Sequence, residues 1–206
     1  MRRMIAAALV LAATGLSIAG ADTRAVGGTF SMIQASGQFK VQISAGEPGV
    51  EVTGPDASRI ATRVQGDKLF ISLINPPWFG PDPHIDATVQ VHAPHLTALQ
   101  VSRGVEVDAQ AVQAGNLDLH ASMGGVLHIA GACDQLDASA SMGGVLDAAG
   151  LSCASVRASA SMGGTLSASA HDAAEGRASM GGTIEISGNP GQRTRSAIMG
   201  GEVSFN

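Results

Sequence analysis

The amino-acid sequence predicts an all-β chain: a β-helix, or β-solenoid, of about 19-residue coils, preceded by a less regular N-terminal β region. Three observations carry that expectation. A Ser-Met-Gly-Gly block recurs with its serine at Ser122, Ser141, Ser161 and Ser179, and a variant block puts Ile198 in the same slot, so the steps are 19, 20, 18 and 19 residues. Apolar residues keep odd offsets from each serine, for example Leu117, Leu136 and Val156 five before it and Leu127, Leu146, Leu166, Ile184 and Val203 five after it. The even offsets are mostly polar, as in Asp118, Asp137, Arg157 and Glu175 four before. That is strand alternation, and no stretch beyond the leader shows the 3.6-residue spacing of an amphipathic helix. Like residues at like offsets are what a solenoid requires, because each coil pairs only with its neighbours and is not stable alone.

Residues 1–21 read as a cleaved signal peptide. Arg2 and Arg3 form a basic start, a short apolar run follows, and Ala19-Gly20-Ala21 fits a small-residue cleavage site. The mature part begins near Asp22, and no later apolar run is long enough for a membrane span. The expected location is therefore exported, periplasmic or extracellular. Losing Arg2 and Arg3 takes the formal charge from -5 to -7, since residues 1–21 hold no acid. An acidic chain without clustered Lys and Arg argues against a nucleic-acid partner.

Residues 22–98 form the N-terminal β region. Short alternating runs such as "QFKVQISA", "GVEVTG" and "KLFISLI" are separated by turn signals at Gly37, Glu47-Pro48-Gly49 and Gly66-Asp67. The Pro-rich loop 75–84, within "NPPWFGPDPH", is excluded from regular structure by its prolines. Residues 99–206 form the repeat solenoid, packed with the preceding region as one domain, and "LQVSRGVEV" is an imperfect first coil centred on Ser102. The short stretch "HDAAEG" is a candidate turn.

Within the repeat, Met123, Met142, Met162, Met180 and Met199 have inward parity and are expected to form a buried ladder. The glycine pairs Gly124-Gly125, Gly143-Gly144, Gly163-Gly164, Gly181-Gly182 and Gly200-Gly201 are expected to turn the corner, with the serine facing out beside it. Cys133 and Cys153 follow their repeat serines by 11 and 12 residues, so they occupy nearly the same place in successive coils. Coils about 4.8 Å apart fall inside the Cα window of a disulfide, which is the expected state, with two buried thiols as the alternative.

The run from "FSMIQASGQFKVQISAGEPGVEV" to "DKLFISL", then "VQVHAPHLTALQVSRGVEV" and the Ser-x-Gly-Gly coils, resembles the GIN-domain family of putative adhesin heads, over about residues 28 to 205. Its carriers include Phe30, Ile33, Gly37, Phe39, Val41, Gly46, Val52, Leu69, Pro94 and Leu99. The resemblance implies an exported bacterial all-β stack of coils with no catalytic residues to carry over. The family often has glycine where this chain has methionine, so the resemblance does not account for the Met column.

Candidate chemistry is sparse. Asp118 and Asp137 stack by the repeat register and could serve a carbohydrate-active β-helix enzyme, which needs two carboxylates at a set separation. The column continues with Arg157 and Glu175, a mixed-charge surface. Methionine with histidine in an exported chain suggests Cu(I), but the inward parity of the sulfurs argues against it, and no metal or cofactor is expected. No serine lies in a nucleophile elbow, and phosphate- and zinc-binding motifs are absent. Trp78 and Phe79, held in the proline-rich loop, are either a docking tip for a sugar ring or protein surface, or a lid over the stack. The expectation is a non-enzymatic exported binding or structural module, in adhesion or cell-envelope contact. Its partner would be an envelope glycan or protein, and the uncapped last coil offers a route to a homo-oligomer. Thiol labelling under denaturing, non-reducing conditions is expected to find no free cysteine; two labelled thiols would contradict the bridge.

Overall fold

The computed structural model describes residues 21–24, 29–77, 80 and 82–206. The leader before Ala21, and Trp78 and Phe79, lie outside the described residues. The strands are β1 (Ala21–Arg24), β2 (Met32–Ser36), β3 (Gln38–Ser44), β4 (Gly49–Thr53), β5 (Ile60–Gln65), β6 (Lys68–Leu73), β7 (His84–His92) and β8 (Ala98–Ser102). They continue as β9 (Glu106–Ser122), β10 (Val126–Ser141), β11 (Val145–Ser161), β12 (Thr165–Ser179), β13 (Thr183–Ser187), β14 (Gln192–Ile198) and β15 (Glu202–Phe205). Ala57–Arg59 make one 3-10 turn, and "HDAAEG" lies within β12 as strand. The solenoid is confirmed.

Each coil has two legs that run from one corner to another. The first legs pair in parallel in the order β7, β3, β9, β10, β11, β12, β13 and β15, and the second legs in the order β6, β2, β8, β9, β10, β11, β12 and β14. The long strands β9 to β12 therefore supply a first leg with their N-terminal half and a second leg with their C-terminal half. At the N-terminal end the stacking order departs from chain order: the coil made by β6 and β7 lies outside the one made by β2 and β3. Beyond it the direction reverses, with β5 antiparallel to β6, β4 antiparallel to β7 and β1 antiparallel to β4. These short antiparallel strands cap an end that would otherwise present unpaired backbone.

The odd offsets fill the interior. Leu117, Leu119, Leu127, Leu136 and Leu146 are buried, and each such leucine contributes about 2 kcal/mol by leaving water. The two legs face one another closely enough that a Cβ on Gly176, in the second leg of β12, would meet Val203 Cγ1 at 2.6 Å and Ile184 Cγ2 at 3.7 Å on first legs. Along this second-leg position the side chain shrinks from Leu119 through Ala138 and Ala158 to Gly176. The missing volume is filled from the opposite leg.

The methionine expectation is corrected by the backbone. Ser-Met-Gly-Gly forms a two-residue turn closed by the amide of the second glycine on the serine carbonyl, at 2.9 Å in Gly125–Ser122, Gly144–Ser141 and Gly182–Ser179. Both central residues have positive φ, 48 to 49° at the methionines and 72 to 77° at the first glycines, which is the type I′ pattern. Both central residues of such a turn project away from the stack. Met123, Met142, Met162 and Met180 are accordingly 48–50% exposed and Met199 77%. Period-two counting assumes extended backbone, and the turn suspends it for two residues. Because two is even, the parity resumes unshifted, with Gly125 and Leu127 buried. The serine expectation is corrected as well: Ser122 and Ser141 are 4% and 9% exposed. They sit in register between serines of adjoining coils, Ser102, Ser122, Ser141 and Ser161, which cover a small side chain from both sides.

The glycines divide the work of the corner. The first, such as Gly143, has open space around its missing Cβ and is required by φ alone. At the second, a Cβ on Gly144 would lie 2.5 Å from the Ala121 carbonyl oxygen of the preceding coil. The other corner absorbs the uneven repeat length: register shifts fall between Ile129 and Gly131, between Ala148 and Ser152, and between Cys153 and Ser155. There the Cys133–Cys153 disulfide links paired positions of β10 and β11, with Cα atoms 4.5 Å apart. It stabilises by roughly 3 kcal/mol in the loop-entropy description.

Two substitutions at one corner separate the two glycine roles. Gly144→Ala is expected to cost about 3 kcal/mol by forcing coils apart, and Gly143→Ala about 1 kcal/mol through φ alone. Denaturant midpoints check this, and the opposite order would contradict the assignment.

Candidate functional site: the methionine corner

One edge of the molecule gathers what the interior does not use. The turns stack in register, since Gly143 N–H donates to Met162 O and Gly163 N–H to Met180 O, both at 3.2 Å, and Val145 N–H donates to Gly125 O at 2.9 Å. Arg103 (φ 60°) and Gly104 (φ 82°) occupy the same place one coil earlier, so the column runs Arg103, Met123, Met142, Met162, Met180, Met199. Among the described residues the exposed large apolar ones are Ile74, Met123, Met142, Val145, Met162, Met180, Ile198 and Met199. All of them lie in the turns or in residues flanking this corner.

The Pro-rich loop belongs to the same edge. It joins β6 to β7, and Ser72 pairs in register with Ser36, which pairs with Ser102, so the loop leaves the stack where the other coils make their turns. Asp82 from the loop, its side chain almost fully covered, stands 3.8 Å from the Arg103 guanidinium. Gln38, Gly80, Asp82, Arg103, Met123 and Gly124 line a shallow depression of about 320 Å³ between loop and corner. A cationic guanidinium beside an apolar thioether suits a ligand with both polar and apolar surface.

The stacked carboxylates are in register as the repeat predicts, Asp118 opposite Asp137, then Arg157 and Glu175. Both aspartates are exposed. Further along, Arg177 donates to Glu175 Oε1 from Nη2 at 2.6 Å and from Nε at 2.9 Å, and Arg157 Nε lies 3.9 Å from Glu175 Oε2. This is a solvated charge network, each pair of which contributes little to stability. His128 and Asp147 also meet across adjacent coils, Nδ1 to Oδ2 at 3.4 Å. At the C-terminal end β14 is exposed along its whole length. Arg193 there donates to Pro190 O at 3.0 Å and to Asn189 Oδ1, and its guanidinium lies 5.9 Å from the Phe205 ring centroid. Among the described residues no group of three His, Cys, Asp or Glu is placed to hold a metal ion.

Sequence reasoning singled out the methionines and placed them on the wrong side of the wall. It missed Arg103 and Asp82 as corner residues. The signal for Arg103 was present, since Ser102-Arg103-Gly104 matches Ser-Met-Gly; nothing local links Asp82 to it.

The fold is an all-β solenoid with reversed capping strands at one end and a constant turn column along one edge. The chain belongs to the family described as "Putative auto-transporter adhesin, head GIN domain", whose model matches residues 29–190, so the resemblance read from the sequence holds. A solved putative adhesin from Bacteroides fragilis is similar in fold, with a TM-score of 0.71 at 17% identity over 90% of this chain and 96% of that one. Another from Parabacteroides distasonis aligns with a TM-score of 0.48 at 16% identity, over 90% of this chain and 96% of that one. No curated protein matches the chain. Among the described residues no helix is long and apolar enough to cross a membrane.

Proposed function

We propose that the chain is a non-catalytic, exported binding module that makes contacts at the cell envelope through the loop end of the methionine corner. The observation that carries this reading is the convergence of the Pro-rich loop, Arg103 and the exposed apolar column on one edge of a rigid stack. Elsewhere the charged faces include solvated ion pairs such as Lys40 with Glu106 and Arg157 and Arg177 with Glu175. Trp78 and Phe79 extend the proposed contact on the strength of the sequence, as aromatic groups suited to a sugar ring or an apolar protein surface. An acidic chain with this edge favours an envelope glycan or protein over nucleic acid. Export fits the leader-like start and the disulfide, which forms in oxidising compartments.

The second reading, a carbohydrate-active enzyme, rests on the register of Asp118 and Asp137. One experiment separates the two. The purified chain is presented with envelope glycans and envelope proteins, and both binding and product formation are followed. Saturable binding without turnover, weakened by Arg103→Ala and by Trp78→Ala, is expected. Turnover that disappears in the Asp118→Asn/Asp137→Asn variant would overturn the binding reading in favour of the enzyme.

A further inference from the structure

From Met142 onward the methionine column is used neither by the core nor by the loop end, and Met123 alone is shared with the loop-end depression. Three features of the column need a common cause. The side chains are half exposed, so they add little to packing. Their backbone sits at φ 48 to 49°, where a residue with a Cβ is disfavoured and glycine or asparagine would serve better. Methionine nonetheless fills this place in five coils, with no leucine or isoleucine among them. What those alternatives lack is a thioether.

We propose that the column binds a soft univalent cation, Cu(I) or Ag(I), between the sulfurs of methionines on adjacent coils. Thioethers select such ions over harder divalent metals, which need nitrogen or oxygen ligands. From Met123 to Met180 the turns are flanked by Ser, Gly, Val and Thr, which supply few of those; the carboxylate of Glu202 flanks only Met199 at the open end, and the Arg103 guanidinium stands one coil before Met123. The spacing fits. Turns in ladder register place neighbouring methionines about 4.8 Å apart along the stack, close enough for their unbranched side chains to bring two sulfurs to one ion. Identical backbone geometry and the Gly143–Met162 and Gly163–Met180 hydrogen bonds hold the launch points in place, while the unbranched side chains adjust the rest. Five methionines in a line provide two separate pairs, Met123 with Met142 and Met162 with Met180, leaving Met199 at the open end. Cys133 and Cys153 are bridged, so no thiolate competes. A thioether takes no proton in ordinary buffers, and binding should therefore be independent of pH, unlike binding to histidine or thiolate. The net negative charge of the chain favours a cation over long range.

The inference does not depend on the envelope-contact reading, because its test uses the metal alone. The purified chain, labelled at methionine methyls, is titrated with silver nitrate in chloride-free buffer at pH 5 and pH 7, and with Cu(I) kept reduced by ascorbate. The methyl resonances of Met123, Met142, Met162 and Met180 are expected to shift together and to saturate near two ions per chain, equally at both pH values. Two double variants retain the same number of methionines but differ in adjacency. Met142→Leu/Met180→Leu leaves no neighbouring pair and should lose affinity by at least about tenfold, whereas Met123→Leu/Met142→Leu keeps adjacent sulfurs and should retain one site. Unshifted methyls, equal binding by the two variants, or affinity that falls on acidification would overturn the proposal. Because the titration of the unsubstituted chain needs no variant to fold, it decides the matter by itself.

Discussion

The structure depends on backbone resting directly on backbone at one corner. At the second glycine of every block after the first the chain passes over the preceding coil with no room for a Cβ: at Gly182 the added atom would lie 2.5 Å from the Ala160 carbonyl group, and at Gly201 equally close to that of Ala178. Only glycine permits that approach. The approach brings the turn amides within reach of the neighbouring coil, as in Thr165 N–H to Gly144 O at 3.0 Å. The ladders resume in register on either side of the bend, and the coils inherit one constant register from it. Coils of 18 to 20 residues stay in phase because this corner never changes length and all variation is sent to the other.

The two corners solve opposite problems. The constant one is held by hydrogen bonds and shape, and its outward side chains are free for other use. The variable one has broken ladders, and the disulfide joins in-register positions a few residues beyond the shift between His128 and Ala130 in the β10–β11 pair. Between the corners the core is thin. A second-leg position reduced to Gly176 is compensated by Val203 from across the interior, so the legs pack as two faces of one flat stack. Such a stack is stiff along its length, which makes a column of identical side chains a ruler of strand spacing.

Much of this was legible in the sequence because a solenoid writes its contacts at a fixed interval. The serine register, the inward leucines and the Cys133–Cys153 pairing all follow from offsets within the repeat. The side of the wall taken by the methionines did not, because alternation describes extended chain and fails inside a turn with two positive φ values. Gly-Gly was read as the turn, whereas the central pair is Met-Gly and the last glycine is the close contact. The signal was ambiguous, since Asn-Gly is the usual form of this turn and methionine usually marks a core. The N-terminal third was legible as strands and not as topology. Placing β6 and β7 outside β2 and β3 depends on contacts between distant segments, and the ion pair of Asp82 with Arg103 follows from that placement alone.

The most direct test of the stacked-turn account is residue-resolved amide hydrogen exchange at the constant corner. The amides of Val126, Val145, Thr165 and Thr183, each donated to the coil before it, should be protected as strongly as the strand amides of Leu127 and Leu146. Rapid exchange at those four positions within a protected stack would mean that the turns do not lie on one another, and the account of the corner, its register and its exposed sulfurs would be wrong.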